Sequence, residues 1–395
     1  MKKSFWSLTA FALVSSIGSS MVMPYIPIYG KEIGMSVTLA GILVFVFYGM
    51  DTLARIPIGS LSGLIGYHRV VLSGGFSIFL ASILYIISGP FPKLLFLAQL
   101  FFGIGFSVTW VTIPSYITLK KQSLAIYSFF VGVGWFLGPP LGGYIKDSLG
   151  MGDLFIGFFI HSVILIFISL IFYYVHRPKF DYGRKINNFS TEVATSYIEG
   201  KKIAMKGGRV VIAFAVSFVM FMAFSMAYSL VPLYFEAIGL ISFQIGILQS
   251  FRQGSSTVVR LGLRKILNIA DDVTVLTVGM FGTGISIILI SMIESTLWLT
   301  VFSVMWGLSA GMYFPIVIDL IAKGTDEKER GVALGVRGTI GTLGSAVGVL
   351  LFSGLADTFS VHFSLGIVGT FVVGFGAFIW IIWKYFMKKG KTDKN

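Results

Sequence analysis

Apolar residues in this chain gather into long runs set apart by short polar connections, and those at 154–175, 273–293 and 362–383 contain little else. A helix rising 1.5 Å per residue needs about 20 residues to cross a hydrocarbon core of ~30 Å. Soluble cores instead use shorter apolar elements separated by polar faces. The pattern predicts twelve membrane helices, at 5–29, 37–62, 70–89, 94–118, 124–146, 154–175, 210–235, 242–262, 273–293, 297–322, 331–356 and 362–386. The first follows Lys2 and Lys3, as a signal peptide would. Its apolar part is too long for that, and it runs into Pro24 and Pro27 without a small-residue cleavage site, so it stays as a membrane helix.

The runs also repeat. Pro27, Tyr29, Ile33, Gly34, Gly41, Ile42, Leu43, Gly49 and Arg55 recur 205 residues later as Pro232, Tyr234, Ile238, Gly239, Gly246, Ile247, Leu248, Gly254 and Arg260. Shared apolar composition matches Leu to Ile easily, but it rarely aligns a Pro, three Gly and an Arg without a gap. Internal symmetry of this kind marks membrane transporters. It divides the chain into a six-span half at 1–176, a linker at 177–208 and a second half at 209–395 with a short tail. The linker is polar and basic, with a short amphipathic helix expected near 190–204 whose apolar side is Val193, Tyr197 and Ile198. A regulatory or partner-binding segment is the alternative reading of that stretch.

Composition agrees: 55% hydrophobic, 12% charged and a mean hydropathy of +0.88, against roughly 25% charged in soluble domains. The net charge of +13 is an orientation signal rather than a nucleic-acid footprint. All but six of the 30 Lys and Arg lie in or beside the termini and the even-numbered connections. Lys31, Lys93 and Lys146 lie on the opposite side, and Arg55, Arg252 and Arg337 lie within spans. Positive charge collects on the cytoplasmic side, so the expectation is a multi-pass protein of the cell membrane with both termini cytoplasmic. Cysteine is absent and the four His are scattered, which leaves no thiolate or His metal site and no cofactor. The glycosylation triplet at Asn188 falls on the cytoplasmic side and is discarded.

Span five carries Gly134-Trp135-Phe136-Leu137-Gly138-Pro139-Pro140-Leu141-Gly142-Gly143. Glycines four apart share one helix face and admit a neighbouring backbone, and Pro139 removes a donor and bends the helix. A tight helix contact alone would account for part of this. The whole string resembles the antiporter motif G-x-x-x-G-P-x-x-G-G of the major facilitator superfamily at every fixed position, and Leu343, Gly344 and Gly348 echo it in span eleven. The resemblance implies an all-α fold of twelve helices in two pseudo-symmetric six-helix bundles around a cavity, working by alternating access. The twelve-helix proton-linked drug and metabolite antiporters are the nearest type. Two other family motifs are degraded. After span two, Gly59, Leu61 and Gly66 are kept, but the acidic position is Gly63 and the next basic one is Leu64. In span four, Gln99 stands four before Gly103 where antiporters often place Arg.

Charges inside spans cost about 2.5–3.5 kcal/mol each on insertion scales and usually face a cavity or a partner. Asp51 and Arg55 are four apart in span two with Tyr48 on the same face, either a neutralising pair or a gate and proton site. Span eight aligns Gln249, Arg252, Gln253, Ser256 and Arg260 on one face, which should line water or substrate. Arg252 lies near the midplane, where such transporters bind cargo, with a structural salt bridge as the rival reading. Arg337 in span eleven is placed to reach Asp319, Asp51 or a carbonyl. In span seven, Met220, Met222, Met226, Phe218 and Phe221 alternate with Ser217, Ser225 and Ser229, as a pocket wall or as packing.

The expected function is secondary transport of a small molecule, with proton-linked export of drugs or metabolites leading. Arg252, Gln249, Gln253, Ser256 and Tyr48 are the candidate substrate residues, and Asp51, Arg55, Arg337 and Asp319 the candidate coupling or gating residues. Uptake or facilitated diffusion of an anionic metabolite is the alternative, and a transporter-fold sensor is a third reading. No G-x-x-x-x-G-K-[ST] loop supports an ATP-driven pump, and no nucleophile–base constellation supports an enzyme.

Overall fold

The computed structural model describes residues 2–175, 189–205, 208–268, 270–326 and 329–392. His176, Asn188 and residues 177–188 of the expected linker lie outside them. Among the described residues every regular element is helical. The first half comprises α1 (Lys2–Val22), a 3-10 turn (Met23–Tyr25), α2 (Ile26–Glu32), α3 (Val37–Leu64), α4 (Tyr67–Ile87), α5 (Leu94–Leu119), α6 (Leu124–Leu149) and α7 (Met151–Val175). After α8 (Phe189–Ala204), the second half comprises α9 (Gly208–Met226), α10 (Leu230–Ala237), α11 (Ser242–Leu267), α12 (Asp272–Met292), α13 (Thr296–Gly324), α14 (Arg330–Thr358) and α15 (Val361–Thr392).

Among the described residues, eleven segments are long and apolar enough to cross a membrane. The missing twelfth is span eight. Its helix, α11, has 26 residues, but the polar stripe read from the sequence lowers its hydropathy. It survives in a bilayer because that stripe is buried where α11 packs on α6 and α13, while apolar Phe251 and Val258 stay exposed.

The repeat is visible in backbone detail. Span one breaks at the turn carrying Pro24, and span seven breaks at Ala227–Ser229, just ahead of Pro232. Proline cannot donate to the preceding turn, so each interruption is local and tolerated. Gly34 and Gly239, 205 apart, both take φ of 87° just past the ends of α2 and α10, a conformation that residues with a Cβ rarely adopt.

The halves meet along two equivalent seams, α6 on α11 and α3 on α14. The antiporter string serves two contacts at once. A Cβ on Gly138 or Gly142 would overlap the α1 carbonyls of Ile17 or Met21, so these glycines close α6 onto α1 within one half. Gly143 faces the Ser242 carbonyl, and Gly246 faces the Pro139 carbonyl, closing α6 onto α11 across the halves. In the second half, Gly344 and Gly348 meet Phe218 and Met222 of α9 in the same way.

Both seams are pinned on the face opposite the chain termini. The Asp147 carboxylate, at the end of α6, accepts from the Ser242 and Phe243 amides (3.0 and 2.7 Å) that begin α11. The Asp357 carboxylate, at the end of α14, accepts from the Val37 amide and the Thr38 hydroxyl (3.1 and 2.9 Å) that begin α3. Each carboxylate therefore supplies the negative charge that a helix start favours, worth typically 0.3–1 kcal/mol, from the other half of the molecule. Tyr25 Oη adds hydrogen bonds to the Pro139 and Ser242 carbonyls (2.6 and 3.1 Å), and Lys146 pairs with Glu32 at 2.8 Å.

Removing both clamps, Asp147→Asn with Asp357→Asn, should loosen this face without unfolding either half. Ser353, buried against Gly41, reports it: in the cysteine-free chain a Ser353→Cys probe should react with maleimide faster in the double variant. Equal rates would remove the clamps from the closure. The two roles of the glycine string separate by substitution. Gly138→Leu should lower the yield of monodisperse protein, because overpacking costs about 1–3 kcal/mol and the contact lies within one half. Gly246→Leu should fold and lose transport. A Gly138→Leu variant as well folded and active as the parent would contradict the close α1–α6 contact.

Candidate functional site

Two glycines of α13 set the position of α11. A Cβ on Gly307 would overlap the Arg252 carbonyl, and one on Gly311 would meet the Ser256 carbonyl. With α6 on another side through Gly246, the stripe of Gln249, Arg252, Gln253 and Ser256 is buried inside the molecule.

Arg252 lies ten residues from the start of α11, about 15 Å, half the thickness of a ~30 Å core. Its Nη2 donates to the Tyr228 hydroxyl at 2.7 Å and its Nε to Gln249 Oε1 at 3.1 Å. The rings of Phe224, Tyr228 and Trp306 each lie 5.2 Å from its Cζ. Cation–π attraction is worth about 2 kcal/mol or more when desolvated, so the rings offset part of the burial cost. The network has a structural source. Breaking span seven at Ala227–Ser229 frees the Ala227 carbonyl, and Gln249 Nε2 donates to it. Tyr228 sits in that same break. The salt-bridge reading of Arg252 is not met: among the described residues no carboxylate pairs with it.

The first half reaches this point through Trp135, from the antiporter string, whose ring meets Tyr228 edge-on at 5.2 Å. Phe106 continues the aromatic wall to Trp135 and Phe47, and Phe47 packs against Tyr48. Tyr48 is buried with an unpartnered hydroxyl, in electrostatic reach of Asp51 and Arg252.

A second level lies toward the face that carries the termini. Arg55 and Arg260 are each 18 residues from the start of their helices, about 27 Å. Arg55 donates to both Asp51 oxygens (3.1 and 2.8 Å), and Ser107 also donates to that carboxylate. In the repeat, Asp51 corresponds to Ser256 and Arg55 to Arg260. The geometry is kept, with Arg260 Nη2 donating to Ser256 Oγ at 3.2 Å, but the carboxylate is lost.

Arg337 does not reach Asp51 or Asp319, as the sequence allowed. Asp51 is taken by Arg55, and Asp319 pairs with Lys323 at 2.6 Å near the end of α13. Arg337 Nη2 instead donates to the Tyr313 hydroxyl at 3.2 Å, and its Cζ lies 4.5 Å from the Phe314 ring, which Arg260 approaches at 5.9 Å. The Nε atoms of Arg260 and Arg337 are buried without partners. Gly338, beside Arg337, admits the Arg55 guanidinium. Arg55, Arg260 and Arg337 thus gather around one aromatic ring and one glycine, and among the described residues Asp51 is the single carboxylate paired with any of them.

The span-seven pocket reading gives way to packing for most of its members. Met220, Met222 and Met226 are buried, and Ser217, Ser225 and Ser229 bond back to their own helix. Phe221 alone meets a candidate residue, at 5.6 Å from Arg337 Cζ. A cavity of about 540 Å³ opens elsewhere, between α12 and α15, lined by Ile288, Ser291, His362, Phe363 and Phe371 among others. It shares no residue with the arginine levels. Among the described residues no metal-ligating cluster forms.

Tyr228, Trp306, Trp135, Phe314 and Tyr313 were missed from sequence. Aromatic residues are abundant here, with 38 Phe, 16 Tyr and 7 Trp, so mid-span position alone gave too weak a signal.

The profile of the Major Facilitator Superfamily matches residues 8–349 and 269–394. An uncharacterised MFS-type transporter of Methanocaldococcus jannaschii is 20% identical over 374 residues, covering 91% of this chain and 93% of that protein. The probable nitrate transporter NarT of Staphylococcus carnosus is 31% identical over 134 residues, 32% of this chain and 34% of that one. Among solved structures, the nucleoside transporter NupG superposes with a TM-score of 0.72 at 12% identity, over 97% of this chain and 99% of its own. A POT family transporter in complex with 5-aminolevulinic acid gives 0.74 at 15% identity, over 96% and 94%. With a profile spanning nearly its whole length and the fold of these transporters, this chain belongs to the Major Facilitator Superfamily and is a multi-pass membrane transporter of small molecules.

Proposed function

We propose that this transporter carries an anion, bound at mid-depth by Arg252. The observation that carries this reading is a buried guanidinium with no carboxylate partner among the described residues. Three aromatic rings lie 5.2 Å from its Cζ. A planar guanidinium edge suits a carboxylate or another oxyanion. Arg260 and Arg337 add two further cations that no carboxylate pairs among the described residues, on the way to the terminal face, whereas Asp51 and Arg55 neutralise each other. The Staphylococcus carnosus relative, a probable nitrate transporter, supports the anionic class. Substrate would reach Arg252 from the terminal face while the opposite face is clamped shut. The halves at 1–176 and 209–395 would then rock about this level, joined by the linker at 177–208. Positive charge at the terminal face supports a cytoplasmic location for both termini in the cell membrane.

Proton-linked export of drugs or metabolites is the second reading, favoured by the intact antiporter string Gly134, Gly138, Pro139, Gly142 and Gly143. Asp51 is the coupling candidate within it. Both of its oxygens bind Arg55, so proton uptake there requires Arg55 to swing away.

Proteoliposomes with an imposed pH gradient, screened over nitrate, small carboxylates and lipophilic cations, separate the two. Arg252→Gln should leave a folded protein and raise the apparent KM for the transported anion about 10- to 150-fold, the worth of a 1.5–3 kcal/mol charged hydrogen bond. Arg252→Lys should restore only part, since an ammonium lacks the planar fork. Unchanged transport of every substrate by Arg252→Gln would overturn the anion reading. If protons drive transport through Asp51, Asp51→Asn should abolish the response to a pH gradient while leaving substrate exchange measurable. A full pH response in that variant would move coupling elsewhere, with Asp319 next.

A further inference from the structure

The linker helix α8 carries a surface that the transport cycle as described does not use. The sequence pattern made Val193, Tyr197 and Ile198 its apolar side, and the structure divides them between a packed and an exposed surface. Val193 is half-buried and Gly200 and Ile203 are buried, and with spacings of seven and three they share one side. This side seats α8 on α3 and α14, with Gly200 against Val336. Tyr197 and Ile198 are instead 45% and 57% exposed. Ala194, Ile198, Lys201 and Met205 recur at i, i+4, i+7 and i+11 as a second stripe, which is apolar apart from one lysine and continues through the 72% exposed Met205. Thr195, Glu199 and Lys202, also exposed, form a third, polar stripe at i, i+4 and i+7.

The depth of α8 says what meets the second stripe. Val336 lies six residues inside α14, about 9 Å from its end. That 29-residue helix is about 43 Å long and overshoots a ~30 Å core by ~13 Å in all. The seat is therefore level with the boundary between headgroups and acyl chains, where an amphipathic helix buries its apolar face. Lipid reaches the stripe there before any soluble protein can. Charge points to the lipid type. Lys201, Lys202 and the neighbouring Arg209 are exposed, and residues 177–208 hold seven Lys and Arg against three Asp and Glu. Basic segments at this level are drawn to anionic headgroups, and a lysine in an apolar stripe can extend its ammonium to them.

We propose that α8 is an interfacial helix, seated on both halves by Val193, Gly200 and Ile203. It inserts Ala194, Tyr197, Ile198 and Met205 among the lipids, and Lys201 and Lys202 engage anionic headgroups. The chain has no cysteine, so single labels report the orientation directly in the full-length protein. Ile198→Cys and Glu199→Cys, each carrying an environment-sensitive fluorophore, would be placed in phosphatidylcholine vesicles and in vesicles one-third phosphatidylglycerol. Both sites are exposed, so neither change disturbs packing. The label at position 198 should be blue-shifted, quenched by brominated lipid and several-fold less quenched by aqueous iodide than the label at 199. Phosphatidylglycerol should widen that difference, and Lys201→Glu with Lys202→Glu should cancel the widening. Equal iodide quenching at both positions would overturn insertion. Shielding of position 198 only after addition of a soluble protein fraction would overturn it in favour of a protein partner. The same shielding in both vesicle types would overturn recognition of anionic lipid.

Discussion

Direct backbone contact between helices is the constraint on which the rest of this structure depends. Inside a bilayer, apolar side chains gain little by leaving lipid for protein, so helices associate through close packing and hydrogen bonds. Here α6 is bare toward α1 at Gly138 and Gly142 and toward α11 at Gly143, and α14 is bare toward α9 at Gly344 and Gly348. Bulk at these points would separate helices that must lie against one another. Gly307 and Gly311 of α13 extend the same device to α11, and that contact places Arg252 in the interior. The site is thus a consequence of glycine placement on its neighbours as much as of the polar residues on α11.

The two halves share a backbone and differ in chemistry. Gly34 and Gly239 adopt the same φ, both first spans are broken, and both seams are closed by a carboxylate that caps the start of a helix in the other half. Yet Phe47 corresponds to Arg252 and Asp51 to Ser256. Duplication supplies a near-symmetric scaffold, and these two exchanges move charge from balance in the first half to excess in the second. The aromatic wall then has two jobs. Phe224, Tyr228 and Trp306 shield the Arg252 guanidinium, and Trp135 brings the first half against Tyr228. A change at the arginine level can therefore be felt across the halves through ring contacts, and through Gln249 at the break in span seven.

The chain by itself determined the helices, their approximate ends, the repeat and the polar stripe of α11. These depend on local physics: span length against bilayer thickness, periodicity within a helix, and the punctuation of Pro and Gly. The Asp51–Arg55 pair was also legible, because four residues on one helix fix the distance between two side chains. Partners across helices were not. Arg337 was equally able to reach Asp319, Asp51 or a carbonyl, and only packing set it beside Tyr313 and Phe314. Which of many aromatic rings would surround Arg252 was beyond reach for the same reason, since nothing local distinguishes Trp306 from the other tryptophans. Tyr197 and Ile198 were legible only as part of an apolar side, because helical periodicity shows that a stripe is apolar without showing what covers it. That choice belongs to the tertiary structure, where long-range contact decides which apolar surfaces meet protein and which are left to lipid.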